Sequence, residues 1–295
     1  GRVITATTTN VSNTAQININ NFDTGSTIKL FSDENANEKV IANEQVTTDN
    51  LMQTVTLDEN KNLVIGVADA SEVLPNVAIG GIVTALTANN VHNDFFDDVL
   101  KSGDTAKASE ALNSVANMGE LAGVNHGTYS MSNAMTAVAH HLSLATHGEQ
   151  DKDIWAHYIH NKEDIDDMNL GGINGSYEAQ YNGIVVGSDL YKNGKTTAGI
   201  ALSYADGNIN GSNSVSSTKN EAEYYGASLY GRIDNGNSAI LGDISYMHSD
   251  NDITQNNSGH EITASADADA FSIGIRAEQA FNAGAGKFVP YAGIR

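Results

Sequence analysis

Two histidine pairs are the first residues whose type and spacing suggest chemistry, because neutral imidazole is a common metal ligand. His157 and His160 lie in a segment whose alternation predicts a β-strand. Their odd spacing puts the two side chains on opposite faces of that strand, so they cannot chelate one ion together. His140 and His141 are adjacent on a predicted helix, where neighbouring side chains diverge. Both pairs therefore favour loop or interior-facing histidines over a metal site.

Other reactive residue types lack the patterns that catalysis requires. Asp267 and Asp269 are not part of an Asp-x-Asp-x-Asp-Gly loop with a closing Glu, which favours a hydrated strand end over calcium binding. The chain contains no Gly-x-Ser-x-Gly elbow and no cysteine, which excludes a cysteine nucleophile, a thiolate zinc site and disulfides. We therefore predict no catalytic, cofactor-binding or metal-binding residue, and no enzyme.

Composition narrows the class of protein further. The 295 residues carry a formal net charge of -21, with 15 Lys and Arg against 36 Asp and Glu. No basic cluster could bind phosphates, so nucleic acid is not an expected partner. The stretch from Gly1 to Asn10 is polar and Thr-rich, which predicts no signal peptide there. No apolar run reaches the roughly 20 residues of a transmembrane helix.

The hydrophobic periodicity divides the chain into three segments with different expected structures. Residues 1–74 are Asn/Thr-rich with short alternating runs that predict strands, in a β-solenoid-like arrangement or a small sandwich. Residues 75–150 have a period near 3.6, which predicts a helical linker. Residues 151–295 alternate with a period of two, which predicts antiparallel strands.

Three apolar stripes predict three helices in the linker segment. The first spans Ile79 to Leu100, the second Leu112 to Met118, and the third contains Met131, Met135, Val138 and Leu142. Gly-containing breaks separate these stripes.

Seven strands are expected in the third segment. They are predicted at Asp153–Asn161, Glu178–Leu190, Thr196–Ala205, Glu221–Ile233, Ser238–His248, Ala268–Ala280 and Phe288–Arg295. Tight turns alternate with connections that are long and polar: Asn161–Ser176, Asp206–Asn220 and Ser249–Ser265.

The two faces of these strands differ in a way that is typical of outer-membrane barrels. One face of Ala268–Ala280 carries Phe271, Ile273 and Ile275, and the other carries small and charged residues. Such alternation, with short turns at one end and Tyr near strand ends, predicts a partial antiparallel up-and-down transmembrane β-barrel of about seven strands. The alternative is a soluble β-sandwich, which also alternates but usually has shorter strands and a more charged solvent face.

The order of the segments resembles the C-terminal part of a bacterial autotransporter (type V secretion). Phe22 to Phe31 and Val55 to Val64 look like the last rungs of a passenger. Ile154-Trp-Ala156 looks like the opening of the first barrel strand, and Val185 to Leu190 contains the Gly-x-Asp pattern of the second.

The resemblance implies an outer-membrane translocator that exports its own passenger to the cell surface. The third helix would thread the barrel lumen, and His140, His141 and His147 would face lumen and water. Partners would be outer-membrane lipid, the passenger and the barrel assembly machinery. Barrels of that family contain more strands than the seven predicted here, and they usually end in an aromatic residue rather than Arg295. The chain is therefore expected to be a fragment.

Three alternatives remain open at this stage. Some autotransporters cleave themselves at an Asn-Asn pair in the pore helix, and Asn89-Asn90 is such a pair, although it lies far ahead of Trp155. The chain is alternatively a soluble β-rich surface adhesin or structural protein. A catalytic part upstream of Gly1 is the third possibility.

Overall fold

The computed structural model describes residues 16–20, 22–30, 41–146, 153–170, 173–284 and 286–295. Its contacts form two compact units. The first contains residues 1–117 with 169–173 and 257–260, and the second contains residues 118–168, 174–256 and 261–295. His147, predicted to face the lumen, lies outside the described residues, as does the stretch from Gly1 to Asn10.

The first unit contains five short strands. They are β1 (Ile17–Asn18), β2 (Thr27–Ile28), β3 (Val46–Thr47), β4 (Gln53–Leu57) and β5 (Leu63–Val67). β1 pairs with β3 in parallel, as in a solenoid rung, and β2, β5 and β4 form an antiparallel sheet in that order. The inner residues of both sheets share one apolar core that includes the fully buried Leu30 and Leu63. Asn18 and Asn20 donate hydrogen bonds to Asp49, which lower the pKa of that carboxyl and keep it ionised.

Helices follow the strands. They are α1 (Ala70–Val73), α2 (Gly80–Ala88), α3 (Asp94–Lys101), α4 (Thr105–Ala116), α5 (Met118–Leu121) and α6 (Val124–Thr136), which continues as a 3-10 turn over Ala137–Leu142. No helix described by the structure combines the length and the apolarity needed to cross a membrane.

The predicted count of three helices is wrong, because the first apolar stripe is divided between α2 and α3. Asn90 adopts a left-handed conformation with φ of 53°, which ends the helical path. Asn93 then caps α3 by accepting hydrogen bonds from the backbone N–H groups of Phe95 and Phe96. The apolar period continues across the break, so periodicity alone did not reveal it.

The Asn90 side chain, just after α2, forms hydrogen bonds to Thr24 in the strand region. Its Oδ1 accepts from the backbone N–H of Thr24 at 2.8 Å and from the Thr24 hydroxyl at 2.9 Å. Its Nδ2 donates to the Thr24 carbonyl at 3.3 Å. Asn90 therefore has a structural role in the first unit, and Asn89 is the C-terminal cap of α2.

Substitution of Asn90 should separate these two contributions. Asn90→Gly keeps the left-handed backbone but removes three hydrogen bonds, which should cost about 1–3 kcal/mol of unfolding free energy. Asn90→Ala should cost roughly 1 kcal/mol more, because alanine resists positive φ. The measurement is the urea midpoint at which α2 and α3 become protease-sensitive in the whole chain. Equal midpoints for wild type and Asn90→Gly would show that the side chain contributes nothing.

The second unit is built on a seven-stranded antiparallel sheet with the order β14-β11-β10-β9-β8-β7-β6. Its strands are β6 (Ile154–Leu170), β7 (Ile173–Lys192), β8 (Thr196–Ser212), β9 (Ser216–Asn235), β10 (Ser238–Asn257), β11 (His260–Gln279) and β14 (Tyr291–Ile294). A small hairpin of β12 (Phe281–Ala283) and β13 (Gly286–Phe288) precedes β14. The predicted count of seven strands in the main sheet and their up-and-down order are confirmed.

The three long polar connections predicted between strands are wrong, because the strands continue through them. β8 extends to Ser212 and pairs with β7 up to Ser176, so the turn between β8 and β9 contains only Asn213 to Val215. β10 likewise extends to Asn257. Both faces of these extensions carry many polar residues, which hid the alternation of the sequence.

The last predicted strand, Phe288–Arg295, is also corrected. Phe288 pairs with Phe281 in the small hairpin, and only Tyr291–Ile294 joins the main sheet, opposite Ile275–Glu278 of β11. Pro290 separates the two pieces, because proline has no backbone N–H to donate to a sheet.

Candidate functional site

The inner face of the seven-stranded sheet, here called the lumen face, holds α6. We call the end of the sheet near Ile173 and Ser212 the upper end, and the end near Lys192 and Thr196 the lower end. At the upper end, Asn220 of β9 donates to the Ala122 carbonyl at 2.9 Å, just ahead of α6. The Thr128 and Ser249 hydroxyls lie 2.6 Å apart, which joins α6 to β10.

Glu163 of β6 is the third attachment at the upper end. It accepts a hydrogen bond from Ser130 of α6, and its other oxygen lies 3.2 Å from Nε2 of His126. Asn161 donates to the same carboxylate at 2.8 Å. Polar groups of three strands, β6, β9 and β10, therefore bind the first two turns of α6 and the residues just ahead of them.

The middle of the lumen is apolar and closely packed. The predicted stripe of Met131, Met135, Val138 and Leu142 is confirmed as the buried face of the helix and its 3-10 extension. It packs against inward residues of the strands, among them Trp155, Ile159, Tyr177, Tyr181, Val185, Tyr224, Tyr230 and Leu241. At 1.5 Å per helical and 2.0 Å per 3-10 residue, the segment from Val124 to Leu142 is about 31 Å long, close to the hydrocarbon thickness of a bilayer.

The lower end of the lumen binds the end of the 3-10 turn. Arg232 of β9 donates to the carbonyl of Leu142. Glu278 of β11 accepts from the backbone N–H of Leu144 at 2.7 Å and from the Ser143 hydroxyl at 3.2 Å. A positive charge at the end of a helical segment, where carbonyls lack partners, is a favourable placement.

His141 lies in the same region and binds Asp189 of β7. Its Nε2 atom is 3.1 Å from a carboxylate oxygen, and both side chains are almost fully buried. Lys192 and the Tyr230 hydroxyl also contact Asp189, at 3.1 Å and 2.9 Å. Trp155 donates to Tyr230 at 2.8 Å and stacks on the His141 ring at 4.9 Å. His141 is thus a structural residue of the lumen, while His140 is exposed.

Glycines make room for the large aromatic residues of the lumen. A Cβ atom at Gly127 of α6 would lie 2.7 Å from the Tyr224 hydroxyl and 2.8 Å from that of Tyr181. A Cβ at Gly207 would lie 2.9 Å from the ring of Tyr181, and one at Gly187 would overlap the Trp155 indole. The helix and the wall are therefore matched in shape at defined positions.

Gly127→Ala tests this match. Alanine has the higher helix propensity, but its methyl group would collide with two buried tyrosines, so we expect a loss of about 1–3 kcal/mol in stability. Gly119→Ala is the control, because a Cβ at Gly119 of α5 meets no atom within 4 Å. The readout is the temperature at which the folded protein loses its compact migration in gels. A Gly127→Ala protein as stable as the control would contradict tight packing at this position.

The outer face of the sheet carries an apolar belt. Its exposed side chains come from the lower halves of β7 to β11, and include Ile184, Val186, Leu190, Ile200, Leu202, Leu229, Ile233, Ile240, Ile244, Phe271, Ile273 and Ile275. A continuous exposed surface of this kind suits hydrocarbon rather than water. In a β-sandwich the lumen face would pack on a second sheet, whereas here it packs on α6.

Aromatic residues border the belt on both sides. Tyr158, Tyr204, Tyr225 and Tyr246 form its upper border, and Tyr191, Phe281, Phe288 and Tyr291 lie toward the lower end. The upper tyrosines bind polar groups: Tyr204 and Tyr225 both donate to Glu223, and Tyr246 donates to Asp269. Two such girdles mark the two interfaces of a membrane. The upper girdle lies at mid-strand and not at strand ends, because the strands continue above it.

A charge within the belt should be far more costly than one above it. Ile273→Lys places a cation on the outer face of β11 in the apolar belt, which should destabilise the protein by about 2–4 kcal/mol. Asp267→Lys, on the same face of the same strand but above the upper girdle, should change stability little. Urea unfolding in lipid vesicles would measure both, and equal effects would rule out the assignment of the belt to lipid.

The other residues named in the sequence analysis make structural contacts. His157 and His160 lie on opposite faces of β6, as predicted, and His160 contacts Asn182 of β7 at 2.9 Å. Asp269 accepts hydrogen bonds from Tyr246 and His248. Within the described part of the chain, no three His, Asp or Glu side chains converge as a metal site would require. Asn89 and Asn90 lie in the first unit, outside α6.

The strands that carry the girdled belt match a known domain. Residues 154–295 match the family model described as the autotransporter β-domain. This segment is similar to the autotransporter β-domain family. Among solved structures, the translocator domain of the autotransporter NalP from Neisseria meningitidis aligns with a TM-score of 0.41 and 16% identity, over 58% of this chain and 59% of that chain. The chain thus spans less than two thirds of that translocator chain. The search of curated proteins found no match.

The similarity accounts for the arrangement of the β-domain, since it supports an outer-membrane translocator role. The belt then faces lipid, and the lumen face surrounds α6. Sequence reasoning found the helix and the polar face of β11 on which Glu278 lies, but it missed Glu163, Arg232 and Ser249. The available signal for Arg232 was a cation on the inward face of β9, two residues before Asp234 on the same face.

Proposed function

We propose that the β-domain, residues 151–295, exports the chain that precedes α6 to the cell surface and then anchors it in the outer membrane. Residues 1–74 would be the C-terminal end of the passenger. Residues 75–150 would be the linker that contains the pore helix. Outer-membrane lipid and the passenger itself are the partners, and the family resemblance adds the barrel assembly machinery. The role is mechanical and requires no catalytic residue.

The direction of α6 is the observation that carries this proposal. The apolar belt lies close to the tight turns that join Lys192 to Thr196 and Asn235 to Ser238, and the strands extend well beyond it at the upper end. Turns at both ends are short, so the position of the belt distinguishes the two ends: in outer-membrane barrels the side with little structure beyond the membrane faces the periplasm, and the longer extensions lie outside the cell. Because α6 begins at the upper end and finishes at the lower end, the chain ahead of it emerges on the outer side.

A physical driving force for export follows from the first unit. The extended chain in the lumen exposes apolar side chains that are fully buried once the strands form, such as Leu30, Leu63 and Ile65. Burial of one such side chain contributes about 1.5–3 kcal/mol. Folding outside the membrane therefore favours outward movement over return.

The absence of cysteine allows a direct test of this topology. Glu59→Cys places a thiol in an exposed turn of the first unit, and Lys195→Cys places one in a turn at the lower end of the β-domain. In intact cells that make the full-length protein, a membrane-impermeant maleimide should label Glu59→Cys. It should label Lys195→Cys only after the outer membrane is permeabilised. Labelling of Lys195→Cys alone in intact cells, or of neither protein, would contradict the proposal.

A further inference from the structure

Three charged side chains at the lower end of the lumen bind the segment His141–Leu144, and we call them the clamp. They are Asp189 of β7, Arg232 of β9 and Glu278 of β11, and their side chains are 0%, 2% and 1% exposed. Buried charges of this kind need partners, because removal from water is costly. The clamp finds these partners in one short stretch of chain.

Two of the three clamp residues bind main-chain groups. Arg232 binds the Leu142 carbonyl, and Glu278 binds the Leu144 N–H together with the Ser143 hydroxyl. Asp189 binds the side chain of His141. Inside a helix each carbonyl and N–H is already paired. Such groups become available only where the helix ends. The clamp therefore distinguishes the end of the 3-10 turn from every position inside the helix.

Each clamp residue also has a partner on its own strand. Lys192 lies 3.1 Å from Asp189, and Arg276 lies 2.6 Å from Glu278. Asp234 pairs with Arg232. These local pairs hold the three charges in place in the lumen wall, so the clamp exists before the chain occupies it. Such a preformed site loses little conformational entropy when it binds.

We propose that Asp189, Arg232 and Glu278 are positioning residues that fix α6 at a single register in the lumen and so set where export stops. This inference rests on the proposed export function. A shift of the helix by one turn toward the upper end would move Leu142 and Leu144 away from Arg232 and Glu278. Three buried charges would then lose their bonds to the turn at once.

Disulfide trapping in the full-length protein measures the register, because residues 1–295 contain no cysteine. Thr128→Cys with Ser249→Cys reports the observed register, because those hydroxyls lie 2.6 Å apart. Ser132→Cys with Ser249→Cys reports a helix that has moved outward by one turn, since Ser132 lies one turn further along the same face. In wild type, oxidation of intact cells should trap the first pair and not the second.

Clamp variants should trap the shifted helix. Glu278→Gln combined with Asp189→Asn should raise the ratio of shifted to observed cross-link about tenfold or more, since bonds to charged groups are lost. Glu261→Gln, on the exposed face of the same strand as Glu278, is the matched control and should leave the ratio unchanged. An unchanged ratio in the clamp variant would overturn the inference.

A second variant leaves the barrel wall untouched. Leu144→Pro removes the N–H that Glu278 accepts, and Ser143 already has the extended backbone that proline requires of its predecessor, with φ of -65° and ψ of 143°. Leu144→Ala is the control, because it also removes the side chain that packs on the lumen core but keeps the N–H. It should shift the register in the same direction, while compact gel migration confirms that the barrel is folded. A folded Leu144→Pro protein with only the observed cross-link would also overturn the clamp. Surface labelling of Glu59→Cys tests export separately, so the two proposals fail by different results.

Discussion

The β-domain depends on a polar helix that is buried inside a protein wall. Thr128, Ser130 and His141 and the free groups at the C-terminal end of the helical segment leave water when the segment enters the lumen, and they need hydrogen-bond partners there. The wall supplies those partners from β6, β7, β9, β10 and β11. The outer face can then be mainly apolar at belt height, because polar contacts are concentrated on the other side of the same strands.

Polar contacts and apolar packing occupy different parts of the lumen. Polar attachments lie at the two ends of α6, and the middle is filled by methionines on the helix and tyrosines on the wall. Glycines at the contact points let large rings lie flat on a neighbouring strand, which a β-branched residue would prevent. Shape matching along the helix adds to the resistance against sliding that the hydrogen bonds provide. Every intermediate position of the helix would create atomic overlap or voids.

The sequence predicted the parts of the structure that depend on alternation against lipid. Strands such as Ala268–Ala280 were clear, because hydrocarbon tolerates only apolar side chains on one face. The upper halves of β8 and β10 were mistaken for loops, since water lies outside them and polar lumen groups lie inside, so neither face is required to be apolar. The break at Asn90 was missed because the apolar period continues across it. The clamp could not be found, because Asp189, Arg232 and Glu278 are far apart in sequence and only the sheet brings them together.

The fit between Gly127 and the tyrosines of the wall also bears on how such proteins diversify by recombination. Gly127 is encoded with the helix, whereas Tyr181 and Tyr224 are encoded with the barrel. A genetic crossover upstream of Met118 would keep this helix together with the wall that it fits. A crossover between α6 and β7 joins a helix to a wall that it was never selected to fit. The functional junction between exchangeable and fixed sequence therefore lies ahead of α6, and not at the first barrel strand where the family match begins.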